Sequence, residues 1–189
     1  ILLVLCLLAC AFTLTMSAAD STAAYTEIGT PEALISLMTR ANGESWAGNY
    51  RLTADITLPA GTAQNPIGNS TDKFTGIFDG NGKTVSGVNL VDEATASGTN
   101  AFIGFFGYVQ GGEIRNLTLK GTVSTTGRRA GGFIGAINGS AKVEDCINYC
   151  SVGAFANAGG IVGFVSPSAG VTISGCKNYG AITGTTAAN

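Results

Sequence analysis

Three stretches of the chain repeat one another. Phe102-Ile103-Gly104-Phe105-Phe106-Gly107, Gly131-Gly132-Phe133-Ile134-Gly135 and Gly159-Gly160-Ile161-Val162-Gly163 place Gly107, Gly135 and Gly163 at steps of 28 residues. The following halves align as well: Ile114-Arg115-Asn116-Leu117 with Val143-Glu144-Asp145-Cys146 and Ile173-Ser174-Gly175-Cys176, and Gly121-Thr122-Val123 with Cys150-Ser151-Val152 and Gly180-Ala181-Ile182. A unit this short, without helical periodicity, leaves no room for a helical crossover in each repeat. It fits one coil of a solenoid, in which each repeat buries its apolar side only against its neighbours. At about 3.3 Å per residue a coil runs roughly 90 Å around, enough for three short strands and their turns, with coils stacked at about 4.8 Å. The spacing predicts three inward ladders: Phe106, Ile134 and Val162; Ile114, Val143 and Ile173; Val123, Val152 and Ile182.

The fold class expected is all-β, a right-handed parallel β-helix with a short N-terminal capping helix. Composition agrees: 28 glycines and only 12% charged residues in 189 favour strands with tight turns over helix bundles. Thr30-Pro31-Glu32 gives an N-cap, a first-turn proline and an acidic residue at the positive helix end. A helix follows to about Arg40, with Ala33, Leu34, Leu37, Met38 and Ala41 on one face and Asn42-Gly43 as its stop. From Tyr50 the pattern turns to period two, with Leu52, Ala54, Ile56 and Leu58 inward until Pro59. Asp79-Gly80-Asn81-Gly82 supplies a turn between two further strands.

Residues 1–19 form an apolar run ending in Ser17-Ala18-Ala19, the pattern of a signal peptide cleaved before Asp20. The run has no initiating Met or basic start and reads as a leader entered partway. Leu7-Leu8-Ala9-Cys10 also allows lipid attachment at Cys10, and an uncleaved anchor is a further alternative. The expected plan is a signal peptide at 1–19, a lead-in with the capping helix at 20–49, and a β-helix over 50–189. Its repeats fall at 102–128, 130–157 and 159–184, and the array is expected to continue past residue 189. Localisation follows: secreted or at the cell surface, with membrane contact only through the leader or a lipid.

The repeats resemble the GLUG-motif family of bacterial exported and surface proteins, through Gly104-Phe105-Phe106-Gly107-Tyr108, Gly132-Phe133-Ile134-Gly135, Gly160-Ile161-Val162-Gly163-Phe164, Asp145-Cys146-Ile147-Asn148-Tyr149 and Gly175-Cys176-Lys177-Asn178-Tyr179-Gly180. The stretch from Pro66 to Val85 is similar to the segment that precedes such repeats. The resemblance implies an exported surface location and this architecture; the leading reading is an adhesion or scaffolding module whose partner is a glycan or a host or extracellular-matrix protein. A carbohydrate-active β-helix enzyme is a second reading, and a passive spacer for a separate catalytic domain a third.

The chain has no His, which removes both the H-E-x-x-H zinc arrangement and a Ser-His-Asp triad. No cofactor or metal site is expected. A net charge of −2, with Arg128-Arg129 the densest basic spot, argues against nucleic acid; that pair reads as a solvated corner. Acid-base candidates for a sugar-cleaving enzyme are Asp55, Asp72, Asp79, Asp92, Glu93, Glu113, Glu144 and Asp145. The sequence-adjacent pairs Asp92-Glu93 and Glu144-Asp145 point to opposite strand faces, and Asp79 reads as a turn residue. Cys146 and Cys176 share a ladder position, where packing and a disulfide both fit, and Cys150 is expected at an exposed corner. Tyr149 and Tyr179 also match between coils; an outward aromatic ladder suits contact with a ligand, an inward one is core.

Overall fold

The computed structural model describes residues 24–41, 43–61, 64–92 and 102–184. The leader at 1–19, with Cys6 and Cys10, lies outside the described residues, as do Asn42, Glu93 and the end from 185 onward.

The chain winds into a parallel β-solenoid with four sheets. Sheet I carries six strands: Thr26–Ile28, Asn49–Leu52, Ile77–Asp79, Gly112–Arg115, Ala141–Glu144 and Val171–Ser174. Sheet II continues each coil after a corner, through Ile56–Thr57, Thr84–Asp92, Thr118–Thr125, then Ile147–Asn148 with Ser151–Ala154, then Lys177–Asn178 with Ile182–Gly184. Sheet III is built from Phe102–Ile103, Arg129–Gly131 and Asn157–Gly159, and sheet IV from Phe106–Val109, Ile134–Ile137 and Val162–Val165. Every pairing is parallel, and the path III, IV, I, II recurs in each of the last three coils.

All three expected ladders are in register. Ile134 pairs with Phe106 and Val162, Val143 with Ile114 and Ile173, and Val152 with Val123 and Ile182. The middle ladder reaches further, through Phe78 to Tyr50. Across the core Phe106 packs against Phe74, Phe78 and Phe105, at centroid distances of 4.9, 5.4 and 5.4 Å. In the coil of Ile77–Asp79, Ile67 and Phe74 take the place of a sheet IV strand, bridging singly to Phe106 and Val109.

Coils have four sides where three were expected, because the Gly-rich motif is a corner and not the middle of a strand. The two sheets meeting there pack backbone to backbone. A Cβ on Gly104 would collide with Gly135 N, and one on Gly131 with Gly163 N; in the other direction a Cβ on Gly135 would stand 2.9 Å from Ile103 C, and one on Gly163 2.7 Å from Ala130 C. Glycines of sheet III thus mesh with the sheet IV glycines of the next coil, a closeness that no side chain permits. Gly107 fits likewise, with its Cβ position on Gly68 O.

The glycine next to this seam has a different partner. Asn148 is completely buried, and its amide brackets residue 150: Oδ1 accepts from Cys150 N at 3.0 Å and Nδ2 donates to Cys150 O at 3.1 Å. The same Nδ2 donates to Asn178 Oδ1 at 2.7 Å, and Asn178 Nδ2 donates in turn to Gly180 O at 2.9 Å. The amides lie against Gly132 and Gly160: a Cβ on Gly132 would stand 2.7 Å from Asn148 Cγ, and one on Gly160 would collide with Asn178. In the first full coil Leu119 occupies the asparagine position, and between Ile103 and Phe106 the chain has a single glycine, one residue fewer than later coils. The second glycine and the asparagine amide occur together.

Corners between sheets I and II have their own rule. Asn116, Asp145 and Gly175 stack there with φ of 53°, 49° and 64°. Asn, Asp and Gly are the residues that tolerate this left-handed conformation best.

Several details differ from expectation. The solenoid begins at Thr26–Ile28, which pairs with Asn49–Leu52, so the helix, Pro31–Met38, is part of the first coil's circuit instead of preceding it. A three-residue strand is too short to show a pattern. Thr30 caps the helix through Oγ1, which accepts from Ala33 N at 3.2 Å, and the helix stops at Met38, two residues before Arg40. Leu34, Leu37 and Met38 join the core while Ala33 and Ala41 are exposed; half-buried Ile35 lies on the inner side instead. The stretch from Tyr50 to Leu58 is two strands on two sheets, and Ala54 sits exposed at the corner between them.

The amide bracket and its glycine set the stability expected here. Gly132→Ala should cost about 3 kcal/mol by overpacking, and Asn148→Ala about 2 kcal/mol by stranding the Cys150 backbone groups. Gly170→Ala, where a Cβ meets nothing within 4 Å, should change stability by less than about 0.5 kcal/mol. Urea unfolding of the three variants checks the order.

Candidate functional site

The outer surface of sheet I carries a ladder of alternating charge. Along one row of paired positions stand Glu27, Arg51, Asp79, Arg115, Glu144 and Ser174. The neighbouring row sets Glu113 beside Lys142. Arg115 sits 3.1 Å from Asp79 and 2.7 Å from Glu113, Arg51 3.7 Å from Asp79, and Lys142 2.6 Å from Glu144. Sequence reading missed this ladder, although its signal, a charge reversal from coil to coil, lies in the residues. Opposite charges on adjacent strands favour this register, and like charges would oppose a coil slipped past its neighbour.

Asp79 is the buried centre of that ladder. Its Oδ1 accepts from Asn81 N at 2.9 Å and Asn116 Nδ2 at 3.2 Å, and its Oδ2 from Arg115 Nε at 3.1 Å. Burial pushes its pKa upward, but the bonds from Asn81, Asn116 and Arg115 outweigh that and hold the carboxyl below the usual aspartate range.

Most of the other acid-base candidates are likewise taken up by the fold. Asp55 accepts from Thr84 N, Asp72 from Gly43 N and Asp92 from Thr125 Oγ1. Glu113 is bound by Arg115, Glu144 by Lys142 and Ser174, and Asp145 forms a left-handed corner. Glu144 and Asp145 therefore separate as strand end and corner. Among the described residues no cluster of three His, Cys, Asp or Glu side chains fits a metal ion, and no helix is long and apolar enough to cross a membrane.

Tyr149 and Tyr179 form an outward ladder. Their rings stack at 5.1 Å with 18° between planes, and they are 47% and 60% exposed, so they belong to the surface and not to the core. Lys120, one coil earlier, holds its ammonium 5.5 Å from the Tyr149 ring centroid. Asn148, just before Tyr149, is buried, so the next residue faces out, and Asn178, exposed on the last described coil, pairs with Asn148 and sets Tyr179 in the same register. Tyr149 has Tyr179 on one side and Lys120 on the other, which leaves its edge and hydroxyl for contact.

Cys146 and Cys176 stack at the corner as free thiols, following Leu117 of the coil before. Their sulfurs contact backbone oxygens, Cys146 at Glu144 O (3.2 Å) and Cys176 at Ser174 O (3.4 Å). A hydrogen bond between the pair pushes Cys146 far above the usual thiol range, with burial adding to it, and lowers Cys176 to about 7 against its own burial. Cys150 corrects an expectation: it is fully buried, turned inward by the Asn148 bracket, and burial pushes its pKa up to about 12. Arg129 is a correction too. It lies in a sheet III strand, half-buried, with its guanidinium 5.0 Å from the Phe102 centroid and 4.4 Å from that of Phe164.

No family model matches the chain, and no solved structure matches it. Two curated proteins are similar over about half of it. Halomucin of Haloquadratum walsbyi is 36% identical over 128 residues, covering 51% of this chain and 1% of the relative. A protein of Evansella cellulosilytica, whose name describes it as a Gly-rich membrane protein, is 32% identical over 100 residues, covering 49% of this chain and 11% of the relative. The matched part is thus a small fraction of each relative's length.

Two outcomes follow from this chemistry. Because the folded pKa of Asp79 is depressed, its contribution is present above the unfolded value near 4 and is lost as pH falls through the folded one. Asp79→Asn should cost on the order of 2 kcal/mol at pH 7, and the difference from the parent should shrink in melts as the pH falls below the unfolded aspartate value near 4. Among Cys146, Cys150 and Cys176, iodoacetamide at pH 7.5 should label Cys176 first, since it alone is both partly accessible and largely thiolate there. Peptide mass spectrometry over time reads the order.

Proposed function

We propose that this chain is a non-catalytic β-solenoid module of an exported surface protein of GLUG-like type, acting as a stiff scaffold that displays contact residues. The carrying observation is the join between interior and exterior. The buried Asn148 bonds to Asn178 of the next coil, and the register of these two residues sets Tyr149 and Tyr179 as a stacked pair on the outer surface. A rigid aromatic anchor costs little entropy on binding and suits a contact surface. Six strands of sheet I at about 4.8 Å span roughly 24 Å, so the module supplies reach as well as display.

The apolar leader at 1–19 supports export, and the small share of each relative covered by the match supports a place within a longer protein. In this reading the partner is a glycan or an extracellular-matrix protein that meets the Tyr149 and Tyr179 edges, and the sheet I charges serve coil register.

The chain from residue 20 should bind members of a glycan and matrix-protein array without releasing sugar fragments. Tyr149→Ser/Tyr179→Ser should lower that binding by about tenfold while the thermal melt stays within a few degrees of the parent. Release of fragments overturns the proposal in favour of an enzyme. Silence across the array leaves a passive spacer, and binding that survives the double substitution moves the contact off the tyrosines.

A further inference from the structure

A recess of about 510 Å3 lies away from the tyrosine ladder, where the end of the helix meets sheets III and IV. Trp46, Pro66, Phe102 and Tyr108 supply its apolar walls, and Arg40 and Asn65 stand among its polar groups. Its volume is that of a pocket enclosing a compact ligand, about 300–1,000 Å3.

The lining is held in place before any ligand arrives. Trp46 is buried with its indole N–H donated to Leu37 O at 3.1 Å, so it acts as a fixed apolar floor. Phe102 and Tyr108 are half-buried and meet edge to face at 5.2 Å. Burial pushes the Tyr108 phenol upward, against the nearby Arg129, so its hydroxyl keeps its proton and donates at neutral pH. Arg40 is fixed by its bond to Ser45 O at 2.5 Å and by the Tyr50 ring, 5.6 Å away at the centroid. Among the described residues lining the recess, Arg40 is the single charged one, and Arg129 stands over Phe102 beside it. The recess is thus a positive, aromatic spot on a chain whose formal net charge is −2.

We propose that this recess binds an acidic saccharide, with Arg40 taking the sugar carboxylate, the Tyr108 and Phe102 rings meeting the C–H face of the ring, and Asn65 and the Tyr108 hydroxyl meeting its hydroxyls. A guanidinium matches a carboxylate in shape and charge. The mixture of aromatic wall and amide fits a ligand with one apolar face and a polar rim. An acidic peptide would instead need a long groove or a row of backbone partners, and the recess is compact. The site goes beyond the tyrosine-ladder reading and lies on different sheets, so either can fail alone.

Trp46 is the chain's one tryptophan and lines the recess, which makes its emission the readout. The protein from residue 20 is titrated with trigalacturonate and with 3′-sialyllactose, using maltotriose as the neutral control and triglutamate as the acidic peptide. The expected result is a saturable change in Trp46 emission with at least one acidic sugar, weakened about tenfold by Arg40→Gln and by Tyr108→Ala, and partly restored in Arg40→Lys. Circular dichroism confirms that each variant is folded. Should Tyr108→Ala unfold, the Arg40 pair carries the test. Flat emission with both acidic sugars up to about 10 mM overturns the proposal. So does equal binding of maltotriose, affinity that ignores Arg40→Gln, or triglutamate binding as tightly as the sugars.

Discussion

Four sheets close around this core because two of them touch through bare backbone. At the corner between sheets III and IV, Gly104 and Gly131 mesh with Gly135 and Gly163 of the following coil, at separations no Cβ could share. The seam lets the chain turn the corner between two sides of a coil with its backbones in close contact. Phe106, Ile134 and Val162 can then reach the interior from the next strand at the same register in each coil. The burial that stabilises the fold rests on this close approach, since apolar ladders contribute only where water and voids are both excluded.

Beside the seam, the solenoid accepts a polar group in its core. Asn148 buries an amide whose donor and acceptor are met by the chain two residues on and by Asn178 of the next coil, which bonds in turn to Gly180 O. A buried amide left half-met would cost more than an apolar residue in its place. The glycines at 132 and 160 make the space, and the first full coil, with Leu119 at the amide position, has one glycine fewer. Polar lock and glycine pair form one unit, and the outward setting of the tyrosines follows from it.

The outside of sheet I answers a different problem. Apolar ladders are nearly the same from coil to coil and do little to fix which coil lies next to which. The alternation from Glu27 through Arg51, Asp79 and Arg115 to Glu144 makes each neighbour the favourable one. Exposed pairs of this kind contribute little to stability; buried Asp79, with several donors, is the exception. Charges elsewhere in enzymes gathered for acid-base work are here distributed along a row.

Repeat period and ladder membership were legible in the residues, because each depends on spacing alone: a 28-residue step and a two-residue alternation fix which side chains stack. The same spacing marked Tyr149 and Tyr179 as partners, and charge reversal between coils was equally there to be found. Tertiary structure decided what spacing leaves open. Whether a glycine pair is mid-strand or corner depends on how closely two backbones approach, and that brought a fourth sheet. Cys150 turned inward because a neighbouring amide claimed its backbone, and Arg129 came to lie between Phe102 and Phe164, residues far apart in the chain. The recess near Trp46 is of the same kind: its walls come from the helix end, a loop and two strands of separate sheets, and only folding makes them one surface.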